Sequence, residues 1–452
     1  MKPIVTIDDF NAGVLADSTK KVKNGGRAFV GLDIHKESSV LQVSQALAQE
    51  TDVFLNLVKW IVYDESDSKY WALDAVGNLY KSASIGGTWS VDSSIGSYGT
   101  GMAMYNGSKY YASEAQLKMH GGDTHTLASD TLWHPMCVYL GSLFIGHGRY
   151  IAKLEADNLY TQEALTLPVG HRVKSIDVYG DRLVIGTWMG DAITDKAIGY
   201  LFTWDGTTTF AEQSYYLEEH GMNALISWEN ILLNFAGIQG NVYAFNNAFL
   251  DKAKQIPNVS PSTGGYAYVN PGAVAQYGGN ILAGNTIGSG SALGGVWEFG
   301  RKTEDLPFAM SLPYLISTGS TDVQIGAILT GGANKFLVSW EDDGSYGMDA
   351  LDTTDKATSG YYETQKYEVS DGRHPRLIKG VAITAEPMPT GTSVTVHYKA
   401  DDASSWTSGG TITSANQANV LFLSFRAKVA QFKFTLISKN NTTPKIKRIE
   451  IF

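Results

Sequence analysis

Apolar and polar positions along the chain change rhythm twice. Between residues 61 and 340 short apolar runs come in pairs around a small polar corner. "AMYNGSKYYAS" covers 103–113, "CVYLGSLFIGHG" 137–148, "DVYGDRLVIGT" 177–187, "ISWENILLNFA" 226–236 and "AQYGGNILAGN" 275–285. Looser copies are "IVYDESDSKYWALD" at 61–74 and "ILTGGANKFLVSW" at 328–340. An aromatic residue (Tyr63, Tyr105, Tyr139, Tyr179, Trp228, Tyr277) precedes the corner in six copies, and Thr330 takes that place in the last. Corners such as Asn106-Gly107, Gly180-Asp181 and Gly278-Gly279 tolerate positive φ and suit tight hairpins. The second run of each pair is apolar throughout, as in Leu183-Val184-Ile185 or Ile231-Leu232-Leu233, so it predicts a strand buried on both faces.

A third apolar run follows most pairs: "NLYKS" at 78, "YIAKL" at 150, "YLFTW" at 200, "NVYAF" at 241, "GVWEF" at 295 and "GMDAL" at 347. A more polar fourth strand often comes next, for example "TTFAEQSYYL" from Thr208. Four antiparallel strands recurring at roughly 35–50 residues predict β-propeller blades. One such sheet has no way to cover both of its faces, whereas a closed ring covers them all. The expected fold is all-β: a β-propeller of six or seven blades over 51–352, followed by a small C-terminal antiparallel β-sandwich over 353–452. In the latter, "TSVTVHYKAD" and "AQFKFTLIS" alternate with period two, one face inward and one outward. Residues 1–50 read as an N-terminal arm and hairpin, whose strand near 38–49 is a candidate to complete a closing blade. The competing arrangements are an irregular β-solenoid or two β-sandwiches. "SASIGGTW" near Ser82 resembles the Asp-box turn of sialidase-type propellers, with Ser84 where Asp belongs; that turn is structural.

Composition agrees with many short strands. Of 452 residues 48 are Gly, 24 Tyr and 10 Trp, while only 18% are charged. The net charge of −10 argues against a surface that coats nucleic acid and is compatible with a channel through which DNA slides. Cys137 is the single cysteine, which excludes an intrachain disulfide and a multi-cysteine zinc site, and it reads as a small buried apolar residue. No apolar run is long enough for a membrane helix, and the start "MKPIVTIDDF" lacks the apolar core of a signal peptide; synthesis in a cytosol is expected.

Candidate chemistry is sparse. His120, Asp123 and His125 in "HGGDTH" are a conceivable metal set, though a solvated loop is expected. Asp342, Asp343, Asp349, Asp352 and Asp355 cluster without EF-hand spacing and read as turn residues, as do Asp401 and Asp402. A propeller glycosidase would need two converging carboxylates or an arginine cluster, but Arg149, Arg172, Arg182 and Arg301 do not recur at one blade position. Trp188, Trp204 and Trp297 read as packing between blades, with sugar stacking as the alternative. Asn258 sits in an Asn-x-Ser sequence that is silent in a bacterial host. No catalytic, cofactor or metal residue is assigned, no cofactor is expected, and the chain reads as a non-enzyme.

The layout resembles virion proteins of tailed bacteriophages, particularly the tail nozzle propellers of short-tailed phages. The likeness lies in the opening "DFNAGVLADSTKKVKNGGRAFVGLDIHKESSVLQV", the strands "YLFTWDGTTTFAE" and "NVYAFNNAFLDKAKQIP", and the ending "AKVAQFKFTLISKNNTTPKIKRIEIF". It implies a structural, nozzle-like or tail-tip ring subunit around the DNA exit channel, located in the virion tail. Its partners would be other copies of itself, other tail proteins and genome DNA in transit. A receptor- or glycan-binding propeller on a fibre or capsid surface, with a host surface glycan as partner, is the alternative. Lys433, Lys439, Lys445, Lys447 and Arg448 make the C-terminal region locally basic, either an ordinary solvent face or a dock for an acidic partner.

Overall fold

The computed structural model describes residues 3–15, 24–37, 39–50, 54–127, 133–190, 196–257, 266–287, 293–302, 308–332, 334–370, 373–413 and 419–452. Asn258 lies outside them. The described residues are all-β, and the chain divides into two compact units: one of residues 48–295 and 318–350, the other of 1–47, 296–317 and 351–452. Residues 296–317, which carry repeat-like sequence, thus group with the chain ends.

The larger unit is a β-propeller. Sheet A comprises Val58–Asp64, Lys69–Asp74, Asn78–Ser82 and Ser90–Ser94. Sheet B comprises Gly101–Tyr105, Ser108–Ser113, Gln116–Met119 and Thr124–Thr126; sheet C, Met136–Tyr139, Ser142–His147, Tyr150–Leu154 and Tyr160–Thr166. Sheet D comprises His171–Tyr179, Arg182–Met189, Gly199–Trp204 and Gln213–Leu217; sheet E, Met222–Trp228, Ile231–Ala236, Asn241–Phe245 and Leu250–Gln255. Sheet F opens with Ala267–Tyr277 and Asn280–Ile287. Sheet G is formed by Gln324–Gly331, Lys335–Asp342 and Ser345–Lys356, with Gln45–Gln49 as its fourth strand. The first strands of A to G touch one another in cyclic order, and that of G returns to that of A.

The ring closes because each sheet leaves apolar faces that only its neighbours cover. Leu143 and Ile145 of sheet C pack on Tyr105, Tyr110 and Ala112 of sheet B. Phe144 turns the other way, onto Trp204 of sheet D, with ring centroids 5.5 Å apart in an edge-on contact. The same wedge of core recurs where the ring meets itself, between Val58, Ile61 and Tyr80 of sheet A and Ala327, Leu337 and Met348 of sheet G. Each fully buried Leu, Ile or Phe stabilises the fold by roughly 1.5–3 kcal/mol. The two-sided burial expected for the second strands is seen at Leu183, Val184 and Ile185.

Where second strands pass the next sheet, small residues are required. Gly146, Gly186 and Gly284 each stand seven positions after their corner aromatic. A Cβ on Gly146 would lie 2.5 Å from Val173 Cγ1, and one on Gly186 2.7 Å from Met222 Cβ. Gly186 is therefore a mid-strand residue held by steric contact. The corner itself is at Gly141, whose φ of +73° favours glycine although a Cβ there would meet open space.

In the second unit one sheet runs Val5–Ile7, Ile446–Ile451, Arg376–Ala385, Asn419–Ala427. A second contains Gly26–Val30, Ser359–Thr364, Val429–Ile437, Ser393–Ala400 and Thr407–Ile412. Period-two burial is clear at Phe432, Phe434 and Leu436. Phe425 of the first sheet stacks on Tyr398 of the second at 4.0 Å between centroids.

Candidate functional site

The two ends of the propeller sheets are chemically different. At the corner end, the aromatic before each hairpin reaches the next sheet. Tyr105 Oη donates to the Gly141 carbonyl at 2.8 Å, Trp228 Nε1 to the Gly279 carbonyl at 2.9 Å, and Tyr277 Oη to the Asn334 carbonyl at 2.8 Å. Tyr139 Oη donates to the Asp181 carbonyl and Tyr179 Oη to the Asn230 carbonyl. Sheets B to G are thus latched one to the next through their corners. Between A and B an ion pair stands in: Lys109 Nζ lies 2.5 Å from Asp64 Oδ2 and 4.4 Å from the Trp71 ring.

At the opposite end the first strands carry bulges. The ladder between the first two strands slips between Val58 and Trp60 in sheet A, between Val173 and Ser175 in D, and between Met222 and Ala224 in E. The extra residues are Lys59, Lys174 and Asn223. In sheet F the slip spans Val269 to Val274 and takes in Asn270. A bulge frees one residue from the ladder and re-aims its side chain. A Cβ on Gly272, within the sheet F bulge, would press on the Lys59 carbonyl, although sheets F and A are not neighbours in the ring. The first strands of sheets F and A thus approach each other across the ring at this end.

Lys174 is 2% exposed. Its Nζ donates to Asn223 Oδ1 at 2.9 Å and faces the rings of Trp133, Tyr268 and Trp188 at 5.3, 5.4 and 5.7 Å. Half-buried Lys59 lies over the same Trp133 ring at 4.7 Å. Cation–π contacts replace part of the lost hydration. Among the described residues neither ammonium meets a carboxylate within ion-pair distance. Burial first, and the charge of Lys59 second, lower the Lys174 pKa to about 7. Burial likewise lowers Lys59 and pushes the Tyr268 hydroxyl up to about 12. At this same end a cleft of about 380 Å³ is lined by Arg149, Tyr150, His171, Arg172 and Lys196 with three glycines.

Sequence reasoning missed Lys59 and Lys174. The available signal was a single lysine between apolar or small neighbours, in "VKW" and "VKS", with strand alternation offset by one residue on its far side. The residues singled out from the sequence fall elsewhere. His120 Nε2 lies 3.9 Å from Asp92, Asp123 accepts from Asn158 at 2.9 Å, and His125 stacks on Tyr160. Thus the three residues of "HGGDTH" turn to three different partners. Asp349 is buried and accepts from Trp340 Nε1, Asp342 accepts from Thr318, and Asp343 sits in a turn at φ +48°. Asp352 and Asp401 accept from backbone amides nearby. Arg182 pairs with Glu212. Trp204 and Trp297 are fully buried and Trp188 is 7% exposed, which fits packing. Cys137 is only partly buried rather than buried, with its thiol pushed up to about 12 by desolvation. In the second unit Lys445 and Lys447 pair with Glu386, Arg448 with Glu450 and Lys433 with Glu363, so those four cations are matched internally.

No family model matches the chain, and no curated protein does. Similar solved structures include the extracellular domain of the hybrid two-component system BT4673 from B. thetaiotaomicron, at TM-score 0.47 and 13% identity over 84% of this chain and 47% of that one. The chain thus spans about half the length of that protein. The RRP9 WD40 repeats match at TM-score 0.49 and 11% identity over 68% of this chain and 98% of theirs. The β-propeller domain of Myceliophteria thermophila Cps50 (Swd1) matches at 0.47 and 11%, over 67% and 99%. These likenesses say nothing about activity. Among the described residues no helix is long and apolar enough to cross a membrane.

Proposed function

We propose that this chain is a non-enzymatic structural component of a phage tail, a nozzle-like or tail-tip ring subunit. The observation that supports this reading is the run of corner latches, which ties sheets B to G one to the next by hydrogen bonds as well as by core packing. Latched blades resist sliding, and a rigid disc is a suitable block for a symmetric assembly. On this reading the DNA channel lies between copies, and the first strands of sheets A and F approach each other across the propeller's own ring. The test is electron microscopy of purified virions carrying a labelled copy of this chain. Label in a symmetric ring on the tail axis supports the proposal; label confined to fibres or capsid, or absent from the particle, contradicts it.

A second reading, receptor or glycan binding, is favoured by the aromatic surroundings of Lys174 and by the cation-lined cleft at the same end. It predicts that the isolated chain binds host cells.

A further inference from the structure

We propose that Lys59, Lys174 and Asn223 form a binding site for a single oxyanion, a carboxylate or phosphate group of a small ligand, at the axial end of the propeller. This goes beyond the structural role and holds whether or not the disc sits in a virion.

Three independent features converge. The first is placement: all three residues are the extra residue of a bulge, each on the first strand of a different sheet, and all at the end opposite the corners. Bulges collect where a strand must re-aim a side chain, and three at one level is a built arrangement. The second is charge. Both ammonium groups lie on the Trp133 ring, and neither has a carboxylate partner among the described residues. Elsewhere in the propeller the chain does match its buried lysine, as Lys109 with Asp64 shows. An anion between Lys59 and Lys174 would supply the counter-charge that no described residue provides, in surroundings where water screens it little. The third is donor geometry. Asn223 Oδ1 fixes one hydrogen of the Lys174 ammonium, and Asn223 Nδ2 is itself anchored on the Gly237 carbonyl at 2.6 Å. An ammonium has three donors, so two remain beyond the bond to Asn223. Lys59, half-buried, provides the approach.

The surroundings decide the class of ligand. Lys174 is too enclosed for a nucleic-acid duplex, and the Trp133, Trp188 and Tyr268 rings form apolar walls that favour a small ligand with one charged head. Among the described residues no carboxylate pairs with either ammonium.

The experiment titrates the full chain with inorganic phosphate and, separately, with sodium glucuronate, holding ionic strength constant with chloride. Tryptophan fluorescence and thermal melting are the readouts. The expected result is a saturable change with at least one of the two, weakening as pH rises through about 7, where Lys174 loses its proton. Phosphate alone points to a phosphorylated ligand and glucuronate alone to an acidic sugar or other carboxylate. Lys174→Met and Lys59→Met are each expected to weaken binding by tenfold or more. Lys59 is half-buried, so its variant is the control if Lys174→Met fails to fold. Absence of a saturable response to both anions at pH 6, or a response unchanged in a folded Lys59→Met or Lys174→Met protein, overturns the proposal.

Discussion

The corner end and the axial end of the propeller are built from the same strands and solve opposite problems. At the corners polar side chains are spent on the neighbouring sheet: the hydroxyls of Tyr105 and Tyr277 and the indole of Trp228 each end on a carbonyl one sheet further round. At the axial end the strands give up ladder bonds to form bulges, and among the described residues neither Lys59 nor Lys174 has a carboxylate partner. One end therefore contributes stability and the other costs it.

Gly326 gives the largest test of the contrast. A Cβ there would collide with the Val58 carbonyl, which is backbone and has no room to yield. Gly326→Ala is expected to cost about 3 kcal/mol or more in chemical denaturation, because overpacking at a backbone contact is relieved only by parting sheets G and A.

Next comes the charge at the axis. Lys174 has a folded pKa near 7 against 10.5 for an ordinary lysine. Between those values the unfolded chain holds a proton that the folded chain does not, so stability rises with pH across this window and is flat below it, by at most about 1.4 kcal/mol per pH unit. Lys174→Met should flatten that slope and stabilise the protein at pH 6. Denaturation midpoints at pH 6, 7.5 and 9 check this; an unchanged slope contradicts it.

The latches come third. Tyr277→Phe and Tyr105→Phe each keep the ring and lose one hydrogen bond, for an expected loss of about 1 kcal/mol apiece. Tyr105 and Tyr277 bridge different pairs of sheets with no shared partner, so the double variant should show the sum. A double variant as stable as the parent would mean that the corners are not latched.

Smallest is Gly141→Ala. It faces open space and pays only for its positive φ, about 1 kcal/mol or less. By contrast Gly186→Ala, a mid-strand change, is expected to cost more because its Cβ would meet Ser175 and Met222.

How legible this was from the sequence follows from the same contrast. The corners announce themselves: an aromatic, a turn of Gly, Asn or Asp, then an all-apolar strand is a local pattern, and it located first and second strands in seven copies. What the aromatics do was not legible, because the acceptor of each lies 36 to 57 residues away. The third strand of sheet B, "QLKM", escaped because it is short and polar. The axial site escaped more thoroughly. A bulge shifts alternation by a single residue, and Lys59, Lys174 and Asn223 are 115 and 49 residues apart (174 − 59 and 223 − 174). Only ring closure brings them together. Conversely, His120, Asp123 and His125 are adjacent in sequence but diverge on neighbouring strands and turns.

The most direct measurement is an NMR titration of the lysine side-chain amines in the native protein, with the Lys174 signal assigned by its loss in Lys174→Met. One amine titrating near pH 7, and moving upward when phosphate or glucuronate is added, is the result expected of a buried ammonium with no carboxylate partner among the described residues. If every lysine titrates near 10.5, the axial end is no different from the rest of the surface and the contrast between the two ends collapses.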